Sequence, residues 1–168
     1  MRVSVVIPAF NEEKLLPATL VAVGAAAEAF RARGWSWECV VCDNNSTDRT
    51  AELARTAGAT VVFEPVNQIG RARDAGARVA TGDWLVFIDA DSLPSRELFA
   101  DIAERIAAGR HLGGGRTGRH SRLDQCPGGG CADFTGGGAG LVSPGRASAA
   151  VYLVHAGALH RGWLAGRT

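Results

Sequence analysis

Hydrophobic positions in the first 108 residues form short β-branched or aromatic runs, separated by stretches with helical spacing. The runs predict strands over residues 3–7, 38–42, 60–63 and 84–88. The intervening and following stretches predict helices between Asn11 and Gly34 and over residues 48–57, 70–80 and 95–108. Strands that alternate with helices are typical of a parallel sheet covered on both faces. We therefore predict an α/β fold with a doubly wound, mostly parallel sheet.

Residues that cap or end helices stand at several of these boundaries. Asn11 is expected to cap the first helix, and Pro17 is expected to make its first turn irregular. Gly34 and Gly58 are placed to end the first two helices, and Ser95 is placed to start the fourth. These signals divide residues 1–108 into four strand–helix pairs.

The chain changes composition sharply after residue 108. Residues 1–108 contain 6 of the 22 glycines and 15 of the 17 acidic residues, whereas residues 109–168 contain 16 glycines and all 4 histidines. The formal net charge is −4 before the break and +5 after it. We predict one domain over 1–108 and a Gly/Arg-rich segment over 109–168. Ordering so many glycines is costly, so residues 110–146 are expected to be irregular, with a short helix or strand within 147–164.

Averages over the whole chain exclude several classes of protein. The 168 residues are 46% hydrophobic and 21% charged, which suits a globular domain rather than a disordered chain. A net charge of +1 gives no global basic field for nucleic-acid binding. No apolar run reaches the ~18 residues that span a bilayer, and the N-terminus lacks a secretory cleavage site. A cytoplasmic location is therefore expected, with reduced cysteines.

Candidate chemistry lies just beyond the predicted strand ends, where open α/β sheets bind ligands. Residues 8–12, 43–45 and 89–91 follow the first, second and fourth strands, and all three sets are polar. Asp89 and Asp91 are two positions apart, a spacing that suits a shared hard cation such as Mg²⁺ or Mn²⁺. The alternative is structural, with Asp89 capping the following turn and Asp91 solvated.

Three linked strings in this part of the chain identify a resemblance. They read VSVVIPAFNEE (3–13), ECVVCDNNSTDRT (38–50) and GRARDAGARVATGDWLVFIDAD (70–91). In order and spacing they resemble family 2 glycosyltransferases of the GT-A fold, over roughly residues 2–108. The resemblance implies a truncated, Rossmann-like GT-A domain. It also implies transfer of sugar from a nucleotide-diphospho-sugar to a saccharide or lipid-linked acceptor of the cell envelope, at the inner face of the membrane.

The resemblance implies roles for residues of the first loop and the second strand. Pro8, Ala9, Asn11 and Glu12 are similar to the first nucleotide-contacting loop, although Pro8 is also placed to end a strand and Asn11 to cap a helix. Asp43 resembles the acid that hydrogen-bonds the donor base.

Two positions in the other strings depart from the family pattern. Asn44 stands where many relatives have a second acid. Arg73 resembles the arginine near the donor diphosphate, but Asp74 stands where the family usually has Asn.

Asp89 and Asp91 resemble the D-x-D pair that contacts the donor and binds Mg²⁺ or Mn²⁺, with Asp91 as the expected direct ligand. In the family the general base comes from the C-terminal half. Here the only acids after the fourth predicted helix are Asp124 and Asp133, and neither has a recognisable context, so no base is assigned.

Beyond residue 115 the chain departs from the family. We hypothesise that residues from about 116 arise from a reading-frame shift in a GC-rich gene. Gly, Arg, Ala and His increase there while acids are lost, and a back-translation of residues 151–168 shifted by one base permits a family-like string. Impaired activity is then expected. The alternative is a non-catalytic nucleotide-binding module with the same fold. A dinucleotide-binding domain is disfavoured because residues 8–11 lack glycine.

Three further groups of residues have structural interpretations. Cys39 and Cys42 have redox-motif spacing, but a buried strand would direct them to opposite faces. A zinc site could be assembled from His111, His120, Cys126 and Cys131. It is disfavoured because the spacing of these residues matches no known zinc finger. A small basic patch is formed by Arg116, Arg119 and Arg122. It could contact a phosphate or a membrane surface, but a solvated coil is favoured.

Overall fold

The computed structural model describes residues 1–109 and 151–156. Within these ranges the strands are β1 (Arg2–Ala9), β2 (Ser36–Asp43), β3 (Thr60–Phe63), β4 (Trp84–Ile88) and β5 (Val151–His155). The helices are α1 (Leu16–Ala26), α2 (Glu28–Arg31), α3 (Thr50–Thr56), α4 (Ile69–Val79) and α5 (Arg96–Ala107).

The strands form one sheet in the order β3-β2-β1-β4-β5. β1 pairs in parallel with both β2 and β4, and β2 pairs in parallel with β3. β5 is antiparallel to β4. The prediction of a mostly parallel α/β sheet is confirmed, and the strands on either side of β1 end at the same edge of the sheet.

Helices cover both faces of the sheet. On one face, α1, α2, α3 and α5 pack against alternate strand residues such as Val5 and Val86, with Phe30 and Phe99 stacked between the helices. On the other face, the end of α4 packs on a smaller cluster that includes Val6 and Phe87. Burial on both faces explains why the strands are runs of hydrophobic residues rather than alternating patterns.

Several predicted boundaries are confirmed. β3 and β4 have the predicted bounds. The Ser95 side chain caps α5 by accepting a hydrogen bond from the Leu98 N–H at 3.2 Å. Gly58, just beyond α3, has φ +82°, a conformation that suits glycine.

Two boundary predictions at the end of the first strand are wrong. Pro8 does not end β1, which runs to Ala9. The pairing of β1 with β4 stops at Val6, so the missing N–H of Pro8 costs no ladder hydrogen bond. Asn11 does not cap α1, because the helix begins only after Leu15, with Pro17 in its first turn.

The remaining differences are smaller. The first predicted helix is divided at Ala27 into α1 and α2. The second predicted helix begins at Thr50 rather than at residue 48, and its N-cap residue, Arg49, makes no side-chain capping hydrogen bond.

β5 lies within residues 147–164, where a short helix or strand is predicted, and it is a strand. It joins the sheet formed by residues 1–109, although the proposed domain boundary at residue 108 stays a prediction. Three predictions concern residues outside the described ranges. They are the irregular region 110–146, the frame shift from residue 116, and the interpretations of the acids, histidines, cysteines and arginines between residues 111 and 133.

In the described ranges, no helix combines the length and apolar character needed to cross a bilayer.

Gly76 permits the close approach of α4 to the centre of the sheet. A Cβ atom at this position would lie 2.5 Å from Val6 Cγ1, well inside van der Waals contact. A Cβ atom at Gly24, also inside a helix, would meet none of the described atoms within 4 Å.

We therefore predict that Gly76→Ala destabilises the domain by about 1–3 kcal/mol through overpacking. Gly24→Ala is the matched control and should be neutral or stabilising by up to about 1 kcal/mol, since alanine favours helix. Urea unfolding followed by circular dichroism measures both variants. Equal stability of the two variants would contradict the close α4–β1 packing.

Candidate functional site

The ends of β1 and β2 lie side by side at the carboxyl edge of the sheet. Ala9 is paired with Asp43, and the Asn44 N–H donates to the Ala9 carbonyl oxygen at 2.8 Å. Pro8 and Ala9 are buried, so they form the base of this edge. The loops that follow β1 and β2 therefore start next to each other.

Asn11 fastens these two loops together. Its Oδ1 accepts a hydrogen bond from the Thr47 N–H at 2.8 Å, and its own N–H donates to Ser46 Oγ at 3.0 Å. Its φ of +54° is in the left-handed region that Asn tolerates. The side chain predicted to cap α1 thus orders the junction between the loops.

A second group of contacts extends this junction. The N–H of Glu12 donates to Thr50 Oγ1 at 2.8 Å, and the N–H of Glu13 donates to Asp48 Oδ2 at 3.0 Å. Asp48 Oδ1 accepts from the Thr50 N–H at 2.9 Å. The roles of Asp48 and Thr50 were not predicted from the sequence. The signal was present in the S-T-D-R-T run, which is rich in side chains that bind backbone N–H groups.

Asp43 and Asn44 lie at the end of β2 and are both buried. Asp43 Oδ1 accepts from the Ser46 N–H at 3.0 Å, which turns the loop back beneath the carboxylate. Asn44 Nδ2 donates to the carbonyl oxygens of Val66 at 2.5 Å and Glu64 at 3.3 Å. The Asn44 amide therefore binds a neighbouring loop.

Asp89 is engaged in an ion pair immediately after β4. The Arg73 guanidinium, on α4, donates to Asp89 Oδ1 at 3.0 Å, and the exposed fractions of the two side chains are 12% and 29%. The next residue, Ala90, accepts a hydrogen bond on its carbonyl from Thr19 Oγ1 at 2.7 Å, which anchors the D-x-D turn to α1. Asp91 is exposed, and Asp74 is buried in α4.

Glu12 and Asp91 bring negative charge together from two loops. Partial burial, followed by the charges of Asp91 and then Asp48, raises the pKa of the Glu12 carboxyl above its ordinary value. The carboxylates after β1 and β4 are therefore close enough to repel each other. The structure brings Glu12, Asp43, Arg73, Asp89 and Asp91 to one edge, as the strand topology predicts.

Glu38, near the start of β2, provides a contrast. It accepts hydrogen bonds from Ser4 Oγ at 2.5 Å and from the Thr81 N–H at 2.7 Å, and it pairs with Arg2 at 2.7 Å. Burial opposes its ionisation, but these contacts outweigh burial and hold the pKa of Glu38 below its ordinary value. The carboxylate at the opposite edge is compensated, whereas Glu12 faces other acids.

The oxygen donors at the carboxyl edge suit a hard divalent cation. Among residues 1–109 and 151–156, however, no three His, Cys, Asp or Glu side chains are arranged to hold a metal ion by themselves. A cation bound through one or two of these carboxylates would need further oxygen ligands. Water and a substrate diphosphate supply such ligands at many Mg²⁺ sites. The residues present fit that kind of site.

The two cysteines of β2 are unsuited to redox chemistry. Cys39 packs with the larger core, whereas the Cys42 side chain faces Gly76 on the other side of the sheet. Burial, followed by the nearby charge of Glu38, raises the pKa of the Cys39 thiol to about 12. Burial, followed by Glu64 and Asp43, raises the pKa of Cys42 to about 12 as well. Cys42 is buried as predicted, whereas Cys39 is partly buried, and the raised pKa values favour protonated thiols that are poor nucleophiles.

Comparison with known protein families gives a match over most of the chain. The family described as "Glycosyl transferase family 2" matches residues 4–129. An uncharacterized glycosyltransferase of Mycobacterium tuberculosis is 43% identical over 103 residues, which cover 61% of this chain and 43% of the relative.

Two further proteins have informative names. The undecaprenyl-phosphate 4-deoxy-4-formamido-L-arabinose transferase of Pseudomonas paraeruginosa is 39% identical over 114 residues, covering 64% of this chain and 33% of the relative. A mannosyltransferase from Pyrobaculum calidifontis, solved in complex with GDP-Man and Mn²⁺, is similar in structure with a TM-score of 0.58 and 27% identity. That similarity covers 70% of this chain and 35% of the mannosyltransferase. The chain spans less than half of the length of each of these proteins.

The proximity of Glu12 and Asp91 predicts a measurable electrostatic effect. Asp91→Asn should lower the pKa of Glu12 because, of the two neighbouring carboxylates, Asp91 repels the Glu12 carboxylate more strongly than Asp48 does. NMR titration of the Glu12 side-chain carboxyl carbon measures this change. Asp101→Asn, which removes an exposed acid from α5, is the control and should leave the titration unaltered. The prediction fails if both variants leave the Glu12 titration where it is in the unmodified protein.

Proposed function

Because this chain belongs to glycosyl transferase family 2, we propose that it binds a nucleotide-diphospho-sugar donor at the carboxyl edge of its sheet, for transfer of the sugar to another molecule. The observation that carries this proposal is the electrostatic repulsion between Glu12 and Asp91, at the edge that also holds the Arg73–Asp89 ion pair. Carboxylates that repel each other at a strand edge are stabilised when a cation, and with it an anionic ligand, binds between them.

The proposed donor site divides into a base side and a diphosphate side. On the base side, Asp43 accepts a hydrogen bond from the nucleotide base, with Pro8, Ala9 and Asn11 forming the adjacent loop. The buried Asp43 carboxylate, turned by its contact with Ser46, supports this assignment, because a buried acceptor gains most from a bound N–H donor.

On the diphosphate side, Asp91 is the proposed direct ligand of Mg²⁺ or Mn²⁺, with Asp89 and Glu12 beside it. When bound, the ion would neutralise charge on the departing nucleoside diphosphate. Arg73 orients Asp89 through the 3.0 Å contact and adds positive charge on this side. The turn between the two acids is held by Thr19, so the pair is fixed with respect to α1.

The acceptor is proposed to be a saccharide or lipid-linked molecule of the cell envelope. The name of the Pseudomonas relative includes undecaprenyl phosphate, a lipid phosphate, which supports this proposal. The protein would then act from the cytoplasm at the inner face of the membrane, with no nucleic-acid partner. Asp124 and Asp133, the acids after α5, lie outside the described residues, and the general base is unassigned.

Isothermal titration calorimetry with UDP and GDP tests the donor site. We expect one nucleotide to bind in the presence of Mn²⁺ and to bind much more weakly without it. Asp91→Ala should weaken Mn²⁺-dependent binding by about 10- to 100-fold, since losing a charged ligand costs about 1.5–3 kcal/mol. Asp101→Ala is the control for loss of an acid and should bind like the unmodified chain. A nucleotide affinity that changes neither with Mn²⁺ nor with Asp91→Ala would contradict the proposal.

Turnover separates an enzyme from a non-catalytic nucleotide-binding module. If the chain is catalytic, incubation with UDP- or GDP-sugars and Mn²⁺ should release free nucleotide in chromatographic assays, and Asp91→Ala should abolish this release. Tight, Mn²⁺-dependent binding without any release would favour the non-catalytic alternative.

A further inference from the structure

Asn44 connects three parts of the carboxyl edge. The residue is almost fully buried, with 5% of its surface exposed. Its backbone N–H donates to the carbonyl of Ala9 at the end of β1. Its side-chain amide donates to the carbonyls of Val66 and Glu64, in the loop between β3 and α4. One residue thus joins the ends of β1 and β2 to a loop 20–22 positions away in sequence.

The loop over residues 64–68 depends on few other contacts. The Val66 N–H donates to Glu64 Oε1 at 3.0 Å, and Arg71 Nε donates to the same oxygen at 3.1 Å. The Gln68 N–H donates to the Val66 carbonyl at 2.7 Å. Among the described residues, the Asn44 amide is the side chain that attaches this loop to the end of β2 by hydrogen bonds.

The same loop follows β3, which pairs with the end of the strand that bears Asp43. The Glu64 N–H donates to the Asp43 carbonyl at 2.9 Å, so the 64–68 loop starts directly beside the proposed base-binding acid. Val66 and Ile69, which flank the loop's later part, are 44% and 55% exposed. Displacement of the loop would therefore remove one wall beside Asp43.

We propose that Asn44 is a positioning residue for the donor's base: its carboxamide holds the 64–68 loop in place next to Asp43. This inference rests on the proposed function, because the base side of the site is part of that proposal. Asn44 itself is not expected to touch the nucleotide, since its amide donates to two carbonyl oxygens of the protein.

The chemistry of the contact requires an amide rather than an acid. A carboxylate at position 44 has no donor and would face the oxygens of Val66 and Glu64 in a buried place, where unpaired charge is costly. A second acid at this position would not be accommodated by this loop. Asn44→Asp changes few atoms and is therefore a sharp test.

Asn45→Asp provides the matched control, because it makes the same chemical change at the next residue, where the side chain is exposed. The first readout is amide hydrogen exchange, which needs no ligand. Asn44→Asp should speed exchange at the Val66 and Gln68 amides by about tenfold or more, as expected for a loop that opens more readily. Asn45→Asp should leave both amides unchanged. Equal exchange in the two variants would overturn the proposed role of Asn44 in holding the 64–68 loop.

The second readout separates positioning of the base from general damage to the fold. With Mn²⁺ present, Asn44→Asp should weaken the better binder of UDP and GDP by about tenfold or more, a loss of about 1.4 kcal/mol, while inorganic pyrophosphate changes by less than about twofold. Lowering the pH towards 5.5 should restore part of the nucleotide affinity, because a protonated carboxyl can donate to the Val66 carbonyl. Asn45→Asp should show neither the selective loss nor the recovery.

Equal weakening of nucleotide and pyrophosphate would overturn the positioning role, as would selective loss in both variants. An unmodified chain that binds neither nucleotide would overturn the proposed function, and the role of Asn44 in base binding with it. The exchange measurement would still decide whether Asn44 holds the loop.

Discussion

Parallel pairing of β1 with both β2 and β4 is the constraint on which the candidate site depends. It carries three strand ends to one edge, so residues about 35 and 80 positions apart in sequence become neighbours. The contact of Asn44 with Ala9 and the contacts of Asn11 with Thr47 then fix the loops beyond the strands. The site is therefore built on the central strands rather than on a single flexible loop.

Electrostatics distinguish the two ends of this sheet. At the amino end, Glu38 is surrounded by donors and a guanidinium, and its pKa is lowered. At the carboxyl end, Glu12 faces Asp91 and Asp48, and its pKa is raised. A fold that retains uncompensated negative charge at one edge loses some stability there, which is the arrangement expected where a cation and an anionic substrate bind.

Much of the fold could be predicted because its signals are local or periodic. The hydrophobic runs gave β3 and β4 with the bounds seen in the structure, and Ser95 marked the start of α5. The topology rule also correctly predicted that Asp43, Glu12 and Asp91 follow strands that end at one edge of the sheet. The errors came from contacts distant in sequence. Nothing near Asn11 indicates that its side chain would bind Thr47 rather than α1, and nothing near Asn44 indicates the carbonyls of residues 64 and 66.

Paramagnetic broadening by Mn²⁺ in NMR spectra of the chain with its preferred nucleotide tests the central claim most directly. If a divalent ion and the nucleotide share the carboxyl edge, the amide signals of Glu12 and Asp91 should broaden first, while those of Glu38 and Thr81 at the opposite edge stay sharp. Broadening centred on Glu38, or spread evenly over exposed acids such as Asp101, would contradict the account.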